Sequence, residues 1–205
     1  MRERLWWRAP EWRRILFSDE SHFCLSHGDG RIRVWRRRGE RFADACVAEV
    51  DRWGGGSVMV WGAIHSRGRT ELLVLNGNLN AQRYVEEVLQ PEVVPYVQGH
   101  DLTFQQDNAR PHAALLAQDF LRDNAVRTLP WPAYSPDLSP IEHLWDLIDR
   151  RLRSRDPRPQ TVLQLRLAIQ EEWDNIPQAI IAHLISSMTR RCRAAYDAFC
   201  GHTRY

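Results

Sequence analysis

The stretches QQDNARPH (residues 105–112) and SPDLSPIEHLW (residues 135–145) each place an acid beside a predicted element boundary. Asp107 follows an apolar run typical of a strand, and Glu142 falls in the first turn of an amphipathic helix. The 34 residues between these two acids suffice for one helix, one strand and the turn into a second helix. A third acid, Asp19 in ILFSDES, follows another apolar run much earlier in the chain.

Working outward from this stretch, hydrophobic periodicity predicts a chain of alternating strands and helices. Predicted strands cover residues 15–17 with a resumption at 23, 57–65, 70–77, 101–107 and 125–131, and predicted helices cover 80–97, 109–124, a stretch beginning at Ser139 or Pro140, and two further stretches after residue 160. We expect Pro91 and Pro95 to shorten or kink the first of these helices. The order predicts an α/β, ribonuclease H-like fold: a three-strand antiparallel meander plus two further strands in a mixed sheet, flanked by helices.

In such a sheet Asp19 and Asp107 occupy strands that can be neighbours, and Glu142 belongs to a helix packed on the sheet. The sequence therefore permits the three acids to meet in one site.

Length and composition favour one domain of an intracellular protein. A chain of 205 residues supports a single full core, and no apolar run reaches the roughly 20 residues that span a bilayer. We divide it into an N-terminal lead-in (1–13) and one domain (14–205), with a polar hairpin or clamp-type loop at about 26–56 and C-terminal helices at about 161–200. Four scattered cysteines fit no common zinc pattern and are interpreted as reduced thiols.

All 28 basic residues are arginine, and they are clustered although the net charge is only +2. One group, within residues 31–41, includes Arg36, Arg37 and Arg38, and two others lie at 150–158 and 190–193. Planar guanidinium groups pair bidentately with phosphate, which favours nucleic acid as a partner. Solvated helix faces are the alternative reading of the same clusters.

Three carboxylates from separate elements are suited to holding Mg²⁺ or Mn²⁺, which prefer hard oxygen ligands. Two such ions would support phosphodiester cleavage or transfer. Each acid also has a purely structural interpretation: Asp19 could end a strand through an Asx-type bond, Asp107 could cap a helix, and Glu142 fits an S-x-x-E capping box with Ser139. His112, in a first helical turn, is either solvent-facing or in contact with a phosphate.

Five strings in fixed order carry a resemblance to a known family. FSDES, WRRRGE (35–40), GGGSVMVWGAI (54–64), QQDNARPH and WPAYSPDLSPIEHLW (131–145) closely resemble the catalytic domain of Tc/mariner-superfamily transposases. The spacing of 34 and the glutamate as third acid resemble the Asp-Asp-Glu branch typified by the Tc elements.

The resemblance implies a cut-and-paste DNA transposase that hydrolyses DNA at transposon ends and joins the freed 3′-hydroxyl to target DNA at TA dinucleotides. It also implies a nuclear protein, two Mg²⁺ or Mn²⁺ ions per site, DNA as partner, a homodimer when assembled on DNA, and no membrane association. The implied catalytic and metal-binding residues are Asp19, Asp107 and Glu142, and the candidates for nucleic-acid contact are Arg36, Arg37, Arg38, Arg110 and His112.

Relatives carry an N-terminal pair of helix-turn-helix modules that read terminal repeats, whereas only 18 residues precede Asp19 in this sequence. We therefore expect no such domain here, and DNA binding that is weak, salt-dependent and without repeat preference. Two alternatives stay open: a truncated or domesticated remnant that only binds DNA or protein, and a ribonuclease H or junction-resolving enzyme that shares the fold and chemistry.

Overall fold

The computed structural model describes residues 7–25, 56–132, 135 and 138–197. The strands are β1 (Ile15–Cys24), β2 (Ser57–His65), β3 (Gly68–Arg69), β4 (Leu73–Leu75) and β5 (Thr103–Gln105). The helices are α1 (Ala9–Trp12), α2 (Ala81–Tyr84), α3 (Val94–His100), α4 (Arg110–Ala113), α5 (Leu115–Asp123), α6 (Pro140–Ser154), α7 (Val162–Asp174), α8 (Gln178–Ser186) and α9 (Met188–Asp197), and a π-helical segment (Val85–Val93) joins α2 to α3.

The strands form one mixed sheet in the order β3-β2-β1-β5, with β4 also paired to β2. β1 runs antiparallel to β2, which in turn pairs antiparallel with β3 and β4. β5 joins the other edge of β1 in parallel, with Phe17 opposite Gln105. This arrangement confirms the predicted meander and the ribonuclease H-like mixed sheet.

Side chains of β1 alternate between two hydrophobic cores, one on each face of the sheet. Ile15 and Phe17 pack into a core shared with helices α6 to α9, whereas Leu16 packs into a core shared with Tyr84 and helix α5. Burying each such side chain stabilises the fold by about 1.5–3 kcal/mol. The alternation fixes which residue of β1 faces which helix layer, and this decides the surroundings of the polar residues that follow.

Two predicted strands are shorter than expected. The predicted strand 70–77 is represented by β4, and β3 precedes it as a separate pair of residues. The predicted strand 125–131 is reduced to a single parallel bridge between Thr128 and Phe104. The prolines at 130 and 132 lack the N–H that a continuing ladder needs.

The predicted helix 109–124 is divided into α4 and α5, because Ala114 adopts an extended conformation with ψ 141°. The helix that starts after Asn80 continues to His100 without stopping at its prolines. It accommodates Pro91 in the π-helical segment, where the i→i−4 bond that proline cannot make is not required.

The clamp-type loop was expected at about residues 26–56, and residues 26–55 lie outside the described residues. The chain on either side of it is joined where the Leu25 N–H donates to the Gly56 carbonyl at 3.0 Å. In the described part of the chain, no helix is long and apolar enough to cross a bilayer.

Candidate active site

Asp19, Asp107 and Glu142 line one cleft of roughly 350 Å³. Asp19 lies within β1, Asp107 follows β5 by two residues, and Glu142 is in the first turn of α6. The parallel pairing of β1 with β5 brings Asp19 and Asp107 to the same end of the sheet. The Ser18 hydroxyl strengthens this strand pairing by donating to the Gln105 carbonyl at 2.8 Å. The structure thus brings together the three acids singled out in the sequence.

Asp19 does not end its strand, because β1 continues to Cys24. Its Oδ2 accepts a hydrogen bond from the Trp145 indole Nε1 at 3.1 Å. Burial, followed by repulsion from Glu142 and Glu20, raises the pKa of Asp19 to about 8. The Asx-type role considered for Asp19 as a strand terminator is therefore wrong, and this carboxyl group lies in a desolvated, acidic environment.

Asp107 is held through one of its oxygens. Oδ1 accepts from the Ala109 N–H at 2.9 Å and lies 2.6 Å from His112 Nδ1, so Oδ2 is the oxygen left for a ligand. The His112 hydrogen bond is the main reason that the pKa of Asp107 is lowered. Asp107 is not the N-cap residue of α4, because Ala109 occupies that position. Asp107 accepts the Ala109 N–H in an Asx-type turn just before the helix.

His112, a candidate for nucleic-acid contact or a solvent-facing side chain by its sequence, is buried in the structure. Only 3% of it is exposed, and its two ring nitrogens face two carboxylates: Nδ1 faces Asp107, and Nε2 lies 3.1 Å from Glu20 Oε1. Although burial opposes it, hydrogen bonding to these carboxylates raises the pKa of His112 to about 9. The short turn α4 points this imidazole inward, where it pairs with the two acids.

The surroundings of His112 are closed by an aromatic ring. The Tyr84 ring centroid lies 4.3 Å from that of the imidazole, and the Tyr84 hydroxyl donates to Gln106 Oε1 at 2.6 Å. Tyr84 is fully buried. The imidazole is therefore fixed both by its two hydrogen-bonding partners and by packing.

Glu142 does not take part in the predicted capping box. Ser139 precedes α6 as its N-cap residue, but its side chain makes no capping hydrogen bond. Burial, followed by Asp146 and Asp107, raises the pKa of Glu142. The first turn of α6 therefore presents this carboxylate to the cleft without a backbone bond of the capping-box type.

The donor set fits a divalent cation by its chemistry. Three hard carboxylates share the cleft, and repulsion among them contributes to the raised pKa of Asp19 and of Glu142. A bound cation would relieve that repulsion. Among the residues that the structure describes, no group of three or more His, Cys, Asp or Glu side chains is close enough to hold a metal ion as it stands, so the three acids line one cleft without forming a preassembled metal site.

Of the four arginines expected to contact nucleic acid, the structure describes Arg110. Arg36, Arg37 and Arg38 lie outside the described residues. Arg110 is exposed at the start of α4, directly after Ala109, which lines the cleft. Arg110 itself does not line this cleft, so its role as a nucleic-acid contact stays a prediction.

Two residues of this site were not singled out in the sequence. Glu20 directly follows Asp19, and strand alternation sends the two acids to opposite faces of the sheet, which the FSDES string could have suggested. Trp145 follows Glu142 by three positions, the spacing at which helical side chains share a face. The sequence thus contains the strand alternation at Glu20 and the helical spacing at Trp145. The residues that these two side chains contact depend on how the helices pack against the sheet.

Comparison with known proteins identifies the family of this chain. The family profile of the DDE superfamily endonucleases matches residues 14–166. The chain is 35% identical over 208 residues to the Tcb1 transposase of Caenorhabditis briggsae, covering 100% of this chain and 75% of the relative. It is 36% identical over 202 residues to the Tc1 transposase of Caenorhabditis elegans, covering 97% and 73%, respectively.

Solved structures give the same fold. The Mos1 transposase catalytic domain with Raltegravir and Mg superposes with a TM-score of 0.69 at 20% identity, over 94% of this chain and 87% of that one. The Mos1 strand transfer complex gives a TM-score of 0.71 at 20% identity, over 94% and 56%. By its family profile and its nematode relatives, this chain belongs to the DDE superfamily endonucleases and is a Tc/mariner-superfamily transposase catalytic domain.

Proposed function

We propose that this domain cleaves DNA at transposon ends and joins the freed 3′-hydroxyl to target DNA at TA dinucleotides, with Asp19, Asp107 and Glu142 as its catalytic acids. The observation that carries the proposal is that these three acids, from three separate elements, line one cleft. Its family membership supports the same chemistry, since the Tc1 and Tcb1 relatives are transposases.

The same acids would hold two divalent ions, Mg²⁺ or Mn²⁺. Related Mos1 structures are described with Mg and with Mn, which supports this choice of metal. When bound, such ions supply Lewis acidity at the phosphoryl group and compensate charge on the attacking and leaving oxygens.

The chain itself contributes the orientation of the ligand oxygens. Asp107 is anchored through Oδ1 by Ala109 and His112, and Asp19 is anchored through Oδ2 by Trp145. Glu142 is presented from the rigid start of a 15-residue helix. Fixed side chains of this kind lose less entropy when a ligand binds, which favours ordered metal and phosphate positions.

We further propose that the domain acts on nuclear DNA as a homodimer assembled on the transposon ends. Mos1 relatives are described as paired-end and strand transfer complexes, which supports DNA as partner and a paired assembly. Exposed Arg110 beside the cleft is the described candidate for contact with the DNA backbone.

The test is cleavage and strand transfer with a pre-cut duplex carrying Tc1-type terminal sequence, together with nicking of supercoiled plasmid, in Mg²⁺ or Mn²⁺. Asp107→Asn keeps the shape of the side chain and removes its charge. We expect metal-dependent products from the wild-type chain and a loss of at least about 100-fold in the variant. Equal activity in both proteins would contradict the assignment of the acids, and DNA binding without any cleavage would support the remnant alternative instead.

A further inference from the structure

The indole of Trp145 joins the helix that carries Glu142 to the carboxylate of Asp19. Trp145 lies one turn after Glu142 in α6, is 3% exposed, and donates through Nε1 to Asp19 Oδ2 at 3.1 Å. An indole N–H is a donor only, so the bond has one direction and cannot exchange roles. One helix therefore supplies one acid of the cleft and a donor that holds another.

The Trp145 ring is fixed by packing on two sides. It stacks on Trp173 with ring centroids 5.2 Å apart and planes inclined by 23°, and it meets Phe23 edge-on at 6.2 Å. Trp173 is itself held, because its Nε1 donates to the Thr70 carbonyl at 3.1 Å. The orientation of the Trp145 N–H is thus set before any ligand enters the cleft.

The opposite strand leaves the space that these rings occupy. Gly62 of β2 lies opposite Asp19 in the β1–β2 register. A Cβ at Gly62 would stand 2.7 Å from Cη2 of Trp173 and 3.1 Å from Cη2 of Trp145. The absence of a side chain at this position lets both indoles lie against the sheet, next to the carboxylate that Trp145 bonds.

Not every buried indole in this fold has a partner. Trp61 is fully buried in the core on the other face of the sheet, and its Nε1 has no hydrogen-bond partner. Since the fold tolerates an unpaired indole N–H at Trp61, it offers a matched control in which removing the nitrogen breaks no bond.

We propose that Trp145 is a positioning residue for Asp19: its N–H holds Oδ2 and thereby directs Oδ1 toward a cation in the cleft. The proposal rests on the proposed function, in which Asp19 is a metal ligand. Outer-shell hydrogen bonds to ligating side chains typically change metal affinity by about 10–100-fold when they are removed. Trp145, whose ring is held by stacking on Trp173 in the space that Gly62 leaves, would make such an outer-shell hydrogen bond to Asp19.

The test compares Trp145→Phe, which removes the N–H and keeps an aromatic ring, with Trp61→Phe. Three quantities are measured on the full chain: the Mn²⁺ concentration for half-maximal plasmid nicking, the Mn²⁺ concentration at the midpoint of the fluorescence change of the remaining tryptophans, and urea unfolding without metal. For Trp145→Phe we expect both Mn²⁺ concentrations to rise at least about 10-fold, with cooperative unfolding retained. Trp61→Phe should keep the wild-type metal dependence.

The outcomes separate the two proposals. Wild-type metal dependence in Trp145→Phe, in a chain that nicks DNA and loses activity in Asp107→Asn, would overturn only the positioning role. A wild-type chain without any response to Mn²⁺ or Mg²⁺ would overturn the proposed function and this inference together.

A second measurement applies if Trp145→Phe does not fold. In the wild-type chain labelled with ¹⁵N at its indole nitrogens, diamagnetic Mg²⁺ should shift the side-chain N–H resonance that Asp19→Asn also shifts, because Trp145 donates to the carboxylate that would bind the cation. If the resonance that responds to Asp19→Asn did not respond to Mg²⁺ in a chain that binds Mg²⁺, the positioning role would be overturned.

Discussion

His112 Nδ1 lies 2.6 Å from Asp107 Oδ1, within a buried arrangement in which the other ring nitrogen faces Glu20. Two ionised carboxylates accept hydrogen bonds but donate none, so the imidazole satisfies both only when both of its nitrogens carry protons. The raised pKa of His112 and the lowered pKa of Asp107 have this shared cause. The positive ring therefore stabilises the ionised state of an acid that faces the cleft.

Replacing His112 should separate its two contacts. Asparagine places its amide near the former Nδ1 and glutamine near the former Nε2, so His112→Asn keeps a donor for Asp107 whereas His112→Gln keeps one for Glu20. We expect both variants to lose about 1–3 kcal/mol of unfolding free energy, because a carboxylate loses its charged partner. We also expect His112→Asn to retain more metal-dependent nicking than His112→Gln.

Urea unfolding and plasmid nicking test this ordering, with His183→Gln on an exposed position of α8 as the control. Equal nicking by the two His112 variants would show that metal-dependent nicking does not depend on the hydrogen bond between His112 and Asp107.

Glu20→Gln should lower the pKa of His112 from its value of about 9, because one of the two carboxylates that stabilise the imidazolium is removed. A raised folded-state pKa stabilises the protein fully below the unfolded value near 6.5 and ceases to do so as pH rises through about 9. In Glu20→Gln this loss should begin at lower pH. Titration of the His112 ring protons by NMR measures the shift directly, and an unchanged pKa would contradict the role of Glu20.

Asp19→Asn should remove a pH dependence of the metal-free chain. Because the folded-state pKa of Asp19 is raised to about 8 from 3.8, the folded protein holds a proton that the unfolded chain releases, so stability falls as pH rises from about 4 to about 8. The amide variant should lose this contribution and be the more stable protein at pH 8.5. It should also lose the gain in unfolding free energy that we expect Mg²⁺ to give the wild type.

Unfolding in urea at pH 5 and pH 8.5, with and without Mg²⁺, checks both parts. Identical pH slopes for Asp19→Asn and wild type would mean that this carboxyl group is not protonated in the folded state.

Gly62→Ala should destabilise the fold by about 1–3 kcal/mol through overpacking, since its Cβ would stand 2.7 Å from the Trp173 ring. Gly99→Ala is the matched control: it lies in α3, a Cβ there meets nothing within 4 Å, and alanine favours the helix by about 0.5–1 kcal/mol. Thermal unfolding of the two variants measures the difference. A Gly62→Ala protein as stable as wild type would show that the two indoles shift without cost.

The sequence predicted the parts of this protein that depend on local pattern. Alternation and apolar runs located β1 and β2, the acid after β5 and the start of α6, and the motif strings identified the transposase family. Local pattern was less reliable at short elements. Where the sequence predicted a strand, the structure has a single bridge between Thr128 and Phe104 of β5, a contact that a window along the chain does not contain. Where it predicted one continuous helix, the extended Ala114 separates α4 from α5.

The contact partners of Asp19 and of its neighbour Glu20 were decided only by the tertiary structure. Asp19 and Glu20 are adjacent in sequence, yet they reach Trp145 and His112, which are 126 and 92 residues away. Strand alternation predicts that the two acids face opposite sides of the sheet. Which residue each acid contacts is determined only by the packing of α4 and α6 against the sheet. The sequence by itself therefore determined which carboxylates are present and in what order, whereas the packing of the sheet and helices decided which oxygen of Asp19 and which oxygen of Asp107 is held, and by which donor.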